Sequence, residues 1–353
     1  MAPERAVAAM NEGTTPTPAN ATQPLAQPAT ARPSPADAVA PRVAPPWRSA
    51  LVVLAIGAAA WWALPEQLGL LTRIAIAALF VLSLDLVVGI AGLPTLGHAA
   101  LFGAGAYAAA IFALRVHADP LLGLAVGVGA GALLAVLSGL FLLRYQGFTF
   151  LMLTVAVAQI VASLAQKARD WTGADDGLTG FTMQPLLGRF AFDLEGRTAA
   201  LYAVAMLAVG LYVARRIADS PFGLAVRGIH ENRARMAALG TPVRRRLIAM
   251  YTLAGALAGA AGALSAQTNA IVGLDSLSFA LSAEALVMLI LGGAGRLYGA
   301  LVGAAVFTLL HHTAASINPY HWLFVVGGVL MVVVVVPPAR AWAWLRQRLG
   351  GRT

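Results

Sequence analysis

The sequence predicts an all-α, polytopic integral membrane protein, with about 8–10 transmembrane helices and one short cytoplasmic helix between them. Two observations carry that fold class. Hydrophobic residues make up 59% of the 353-residue chain and charged residues 11%, with a mean hydropathy of +0.77, well beyond the balance of a soluble domain. The apolar residues also fall in runs. A bilayer span needs roughly 20 mostly apolar residues, and this chain offers about ten candidates.

Residues 1–48 come first. They are rich in Pro, Ala and Thr and hold no large apolar cluster, so they cannot offset the entropy of ordering. They read as a disordered cytoplasmic tail. No apolar run lies near Met1, which argues against a cleaved signal peptide; the run from Leu51 reads as an uncleaved anchor. The candidate spans are 49–64, 70–90, 95–114, 121–143, 147–166, 199–217, 247–268, 280–293, 297–313 and 321–337. They form a transmembrane domain over 49–338, followed by a basic cytoplasmic tail, 339–353.

The loops set the orientation through the positive-inside rule. Segment 215–246 carries Arg215, Arg216, Arg227, Arg233, Arg235, Arg244, Arg245 and Arg246 against Asp219 and Glu231. Loop 167–197 carries Lys167, Arg169, Arg189 and Arg197 against five acids: Asp170, Asp175, Asp176, Asp193 and Glu195. The first segment belongs inside and the second outside. Both termini, with Arg42, Arg48, Arg340, Arg346, Arg348 and Arg352, then fall inside.

Gly123-x-x-x-Gly127-x-x-x-Gly131, Gly255-x-x-x-Gly259 and Gly299-x-x-x-Gly303 let helix backbones approach closely, as helices do in lipid. Close packing within the chain is the expected use. Two other glycine clusters interrupt apolar stretches: Gly89-Ile-Ala-Gly-Leu-Pro-Thr-Leu-Gly97 and Gly292-Gly-Ala-Gly-Arg-Leu-Tyr-Gly299. Such breaks free backbone groups that lipid cannot satisfy, so they line a cavity or pack on protein. Paired interrupted segments point toward a solute path in transporters, which makes Gly292 and Gly293 candidates.

Asp85 and Glu284 lie inside candidate spans, where an ionisable group is costly and defaults to function. Each either lines the path or bridges helices by a hydrogen bond. His98 follows the first break and either meets solute or satisfies freed backbone. His311 and His312 read as interfacial, since neighbours on a helix diverge by about 100°. No metal site or cofactor is expected. Cysteine is absent and lysine occurs once, in Ala-Gln-Lys167-Ala. The Gly-Lys-[Ser/Thr] of a phosphate loop is therefore missing, as are His-Glu-x-x-His and Gly-x-Ser-x-Gly. No basic stripe interleaved with aromatics suggests nucleic acid.

Segment 219–246 is the most informative. Asp219-Ser-Pro-Phe-Gly223 leads through Arg227 and Glu231 to Gly240. Ser220 suits an N-cap, Pro221 the first helical position and Gly240 the stop. A compact polar helix too small for chemistry is a docking surface for a soluble partner.

Several blocks together resemble the permease subunits of branched-chain amino acid ABC importers, closest to the LivM type. They are Leu82 to Tyr107, Arg144 to Thr154, Thr172-Gly-Ala-Asp-Asp-Gly-Leu178, Ser220 to Gly240, and Ser282-Ala-Glu through Gly299. They cover about residues 70–310 in the expected order. The resemblance implies an inner-membrane subunit, not an enzyme, that moves branched-chain amino acids or related small solutes. Its partners would be a homologous LivH-type permease, two ABC ATPase subunits and a periplasmic solute-binding protein. It implies an ATPase-coupling role for Ser220, Pro221, Phe222, Gly223, Arg227, Glu231, Asn232, Arg233, Ala238 and Gly240. It further suggests a pathway role for Asp85, His98, Glu284, Gly292 and Gly293, and contact with the binding protein at Asp175, Asp176 and Gly177. Arg233 and Arg235 stand where relatives carry acidic or small residues, Asp85 where an amide is common, and Ala174 where a Gly is. The rival readings are an ion-coupled secondary transporter, for which Asp85 and Glu284 are a sparse set, and a membrane enzyme using His98, His230 and His311.

Overall fold

Helices account for nearly all of the computed structural model, which describes residues 46–63, 65–186, 188, 190, 196–317, 327, 328 and 331. In chain order they are α1 (Pro46–Ala63), α2 (Leu68–Asp85), α3 (Ala99–Arg115), α4 (Pro120–Leu142), α5 (Gly147–Lys167), α6 (Arg169–Thr172), α7 (Arg197–Ala218), α8 (Pro221–Glu231), α9 (Arg233–Ala238), α10 (Val243–Asn269), α11 (Phe279–Gly292) and α12 (Leu297–Ile317). Two short strands, β1 (Leu178–Thr179) and β2 (Ile271–Val272), pair antiparallel. The fold is all-α and polytopic. Six helical stretches among the described residues are long and apolar enough to cross a membrane, and α3 and α11 are shorter apolar helices. The expected span 321–337 apart from residues 327, 328 and 331, the tail 339–353 and nearly all of 1–48 lie outside the described residues; α1 already begins at Pro46.

Two sequence signals explain how neighbouring helices start. Asp119 caps α4, its Oδ1 accepting from Leu121 N at 2.8 Å, with Pro120 just inside. Ser278 caps α11 by accepting from Leu281 N at 3.2 Å. Both are short polar side chains that satisfy an orphan helical amide.

The centre of the bundle is α10, packed against α3 and α4 through glycine. A Cβ on Gly131 would run into the Gly255 carbonyl, one on Gly259 into Gly127, and one on Gly105 into Gly259. Gly299 and Gly303 of α12 meet Gly292 and Met288 of α11 in the same way. The expected close packing of all three glycine motifs is therefore what the structure shows. In lipid, where apolar burial offers little drive, such contact is a main source of helix association.

Side chains define two ends of the bundle. At one, Gln267 near the end of α10 donates through Nε2 to Pro120 O at 2.7 Å and accepts from Tyr202 Oη of α7 at 3.1 Å. The β1–β2 pair, Leu178 opposite Val272, sits at this end. At the other, Arg244 at the start of α10 donates to Leu140 O near the end of α4 at 2.6 Å. Helices α8 and α9 lie there.

Candidate functional site

The end that carries α8 is where the informative sequence segments converge. Ser220 caps α8, its Oγ accepting from Gly223 N at 3.2 Å, and Pro221 opens the helix. Gly223 is required by contact: a Cβ there would strike the carbonyls of Ile217 and Ala218. This fixes the turn from α7 into α8. Val226 and Ile229 are fully buried against the bundle, an anchoring worth roughly 1.5–3 kcal/mol for each side chain.

The helix does not run on to Gly240 as a single rod. It stops at Asn232, whose backbone is extended and whose Oδ1 accepts from Arg235 N at 2.9 Å, starting α9. An asparagine side chain competes with helical backbone in this way, so the expected single helix is two. Gly240, at φ +78°, ends the segment in the left-handed conformation.

Outward, α8 and α9 present Pro221, Leu224, Glu231, Arg235, Ala238 and Leu239. Leu224 is 60% exposed and Leu239 73%. Arg227 and Arg233 are partly covered. Two exposed leucines among arginines form an amphipathic face with no cover from the described residues.

The first break lies directly beneath. Helix α2 passes into a π-turn over Leu86–Ile90 and then an extended stretch up to His98. Gly92 has φ +67°, and any Cβ there would meet the His230 ring of α8. The second break touches the first. Gly295 N donates to Asp85 Oδ1 at 2.6 Å, and a Cβ on Gly89 would overlap both the Asp85 carboxylate and the Gly295 backbone. Asp85 is fully buried, and its Oδ2 has no hydrogen-bond partner among the described residues. Arg227 of α8 lies within electrostatic range of it.

The freed backbone of the first break is satisfied by neighbours. Ala99 N donates to Ser282 Oγ of α11 at 2.9 Å, and Leu96 N to Thr154 Oγ1 of α5 at 3.3 Å. Ser83 Oγ donates its one proton to Phe80 O at 2.6 Å and lies 2.9 Å from His98 Nε2. In a neutral imidazole this places the ring proton on Nε2, which donates to Ser83. Phe80 stacks on the ring with centroids 5.5 Å apart. On α7, Arg215 donates to Tyr298 Oη of α12 at 2.7 Å and lies 3.9 Å from Asp219.

Of the residues the sequence singled out, Asp85 lies where the two breaks meet, Gly292 and Gly293 open the second break against α12, and His98 closes the first break against α2. Glu284 does not join them; it is half-buried on α11 and interacts with His311 of α12. Asp175, Asp176 and Gly177 sit at the opposite end, beside β1. Asp176 lies 3.5 Å from Arg169 and Asp175 Oδ1 accepts from Gln166 Nε2 at 3.3 Å. Among the described residues no group of three or more His, Asp or Glu side chains gathers as a metal cage would. The sequence reading missed Ser83, Gly92, Thr154, Ser282, Gly295 and Tyr298. A signal existed for the hydroxyls: freed amides in a membrane need polar partners on neighbouring spans.

The profile of a family described as "Branched-chain amino acid transport system / permease component" matches residues 67–335. The chain belongs to that family. It is 28% identical over 319 residues to the high-affinity branched-chain amino acid transport system permease protein LivM of Escherichia coli K12, covering 82% of this chain and 73% of that protein. It is 29% identical over 286 residues to the LivM protein of Salmonella typhimurium LT2, covering 73% of this chain and 65% of that one. No solved structure matches it significantly. The chain is a LivM-type permease subunit of an ABC importer, a multi-pass membrane protein from a family of transporters rather than of enzymes.

Proposed function

We propose that this permease carries a branched-chain amino acid or a closely related small solute across a bacterial inner membrane, with both termini and segment 215–246 in the cytoplasm. A homologous LivH-type permease completes the passage. Two ABC ATPase subunits drive it and a periplasmic solute-binding protein feeds it. The subunit itself makes and breaks no covalent bond. The relatives' function as branched-chain amino acid permeases supports the solute class. Asp175, Asp176 and Gly177, at the end opposite α8, are the surface proposed for the binding protein.

One observation carries the coupling role: α8 is buried on one face through Val226 and Ile229 and bare on the other through Leu224. A helix held firmly by its own bundle while offering a bare leucine between arginines suits a hydrophobic groove on a soluble partner. Motion of the ATPase then moves α8, and through the His230–Gly92 contact it moves the break. In the complete reconstituted transporter, Leu224→Asp is expected to abolish ATPase association and uptake while the permease still inserts. Undiminished uptake would remove α8 as the handle. Solute accumulation by this chain alone, without any ATPase, would instead favour the ion-coupled reading.

A further inference from the structure

We infer that the uncovered face of α5 lines the solute passage, with Gln159 as its mid-membrane polar contact, Ser163 one turn nearer the end of the helix and Lys167 as the cation at that mouth. This rests on the transporter reading above and assigns the passage to one helix face.

Helix α5 is the least covered of the six long apolar stretches: 17% of its most apolar window is buried, against 72% for residues 65–90 and 67% for α10. Exposed helix faces toward lipid are expected to be apolar, and elsewhere they are. The bare middle turns of α1 show Leu54 and Ile56, those of α4 Leu133 and Leu137, that of α7 Val209, and those of α12 Val302 and Val306. On α5 the exposed row is Met152, Ala156, Gln159, Ile160, Ser163, Leu164 and Lys167. Gln159, Ser163 and Lys167 follow one another at four-residue spacing and therefore share a face.

Depth makes this row informative. Gln159 lies about 18 Å along the axis from the start of α5 and about 12 Å from its end, at 1.5 Å per residue. That is the middle of a hydrocarbon layer about 30 Å thick. An amide there, with no side-chain hydrogen bond to any described residue, is strongly disfavoured against lipid. The face is therefore turned to water or to polar groups of another subunit.

The chemistry of the strip favours a passage. Gln159, Ile160, Ser163, Leu164 and Lys167 form one open strip along α5, a single wall rather than an enclosed site. It alternates polar groups with branched apolar ones. A small zwitterion with an aliphatic side chain matches that mixture: its charged head meets Gln159 and Ser163, its side chain meets Ile160 and Leu164. Lys167, the only lysine in the chain, stands at the helix end that carries the 169–179 loop and gives a carboxylate a first contact.

The chain has no cysteine, so single-cysteine variants report without background from this subunit, whose labelling is read on its own band. Gln159→Cys, Ser163→Cys and, as a lipid-facing control, Leu133→Cys are placed in the complete transporter in vesicles. Each is treated with a charged, membrane-impermeant methanethiosulfonate reagent, with and without leucine and the binding protein. Positions 159 and 163 are expected to react on the order of 10-fold faster than 133, because the reagent reaches thiols only through water, and leucine is expected to slow them. Failure of both positions to react overturns the inference, whether lipid or a dry subunit contact covers the face. Reaction that no amount of leucine or related solute changes overturns it equally. Uptake by the unsubstituted transporter, measured in parallel, reports on the transporter reading separately: labelling decides the face of α5 even where uptake fails.

Discussion

Asp85 shows how a single buried carboxylate can tie together distant stretches of backbone. It is buried on α2, one oxygen holding the Gly295 amide at 2.6 Å and the other unpartnered among the described residues. Asp85→Asn keeps an acceptor for Gly295 and removes a buried carboxylate, so stability in detergent is expected to hold or rise. Asp85→Leu leaves a buried amide unsatisfied, at a cost of about 1–3 kcal/mol, readable as a lower unfolding temperature. Equal destabilisation by both substitutions would show that charge, not the hydrogen bond, is what the site needs. The sequence marked Asp85 by its depth alone and left open whether it lines a path or bridges helices. The structure shows it bridging two breaks about 210 residues apart in sequence, a contact that no local pattern encodes. For Ser282 and Thr154 the sequence signals only that some span hydroxyl must meet the freed amides, not which. Hydroxyls in spans are common, and only the fold says which ones face freed amides.

At the scale of elements, the spans were legible because each is a long apolar run that must satisfy its own backbone in lipid. Helix α4 is observed at Pro120–Leu142 against the expected 121–143, and α7 at Arg197–Ala218 against 199–217. Helix α3 begins at Ala99 rather than 95 because Pro94 and the glycines near it keep the chain out of helix up to His98. The stop at Asn232 was not read, since a helix-compatible stretch surrounds it and only its cap geometry ends α8. Asn232→Ala removes that cap, costs about 1 kcal/mol, and is expected to let α8 and α9 fuse. In one continuous helix Leu239 would stand about 22 Å from Leu224 along the axis, and spin labels at 224 and 239 would report the change in distance. An unchanged distance would mean that packing of Met236 on Gly228, not the cap, sets the bend. The glycine seam is a second element-scale test. Gly131→Val drives a side chain into the Gly255 carbonyl, so α4 and α10 must separate. Loss of folded protein is expected, whereas Gly129→Val, where a Cβ meets nothing, is expected to be tolerated.

Across the whole molecule, the two breaks, α8 and the α7–α12 clasp form one connected set at a single end. His230 over Gly92 joins α8 to the first break, Asp85 joins that break to the second, and Arg215 to Tyr298 joins α7 to the start of α12. A displacement of α8 is therefore delivered to backbone that is not held in helical ladders. Such backbone can rearrange more cheaply than a packed helix, since its hydrogen bonds run to a few side chains rather than to its own chain. In the coupling role proposed above, this arrangement separates binding of an ATPase from its mechanical effect. Leu224 belongs to the bare face and its loss should prevent docking; Gly92 lies underneath and its substitution should leave docking intact. Gly92→Ala adds a Cβ in a left-handed backbone position against the His230 ring, a strain of about 1–2 kcal/mol before the clash is counted. The expected outcome is an assembled transporter that hydrolyses ATP but moves little solute, measured as the ratio of uptake to hydrolysis. His230→Ala in the same background removes the ring that the new methyl meets, and it should restore part of that ratio if contact rather than backbone strain is the cause. A Gly92→Ala transporter with a normal ratio would show that force reaches the breaks by another route, with the Arg215–Tyr298 clasp as the remaining connection; Tyr298→Phe, which deletes only the hydroxyl, would then lower the ratio where Gly92→Ala did not.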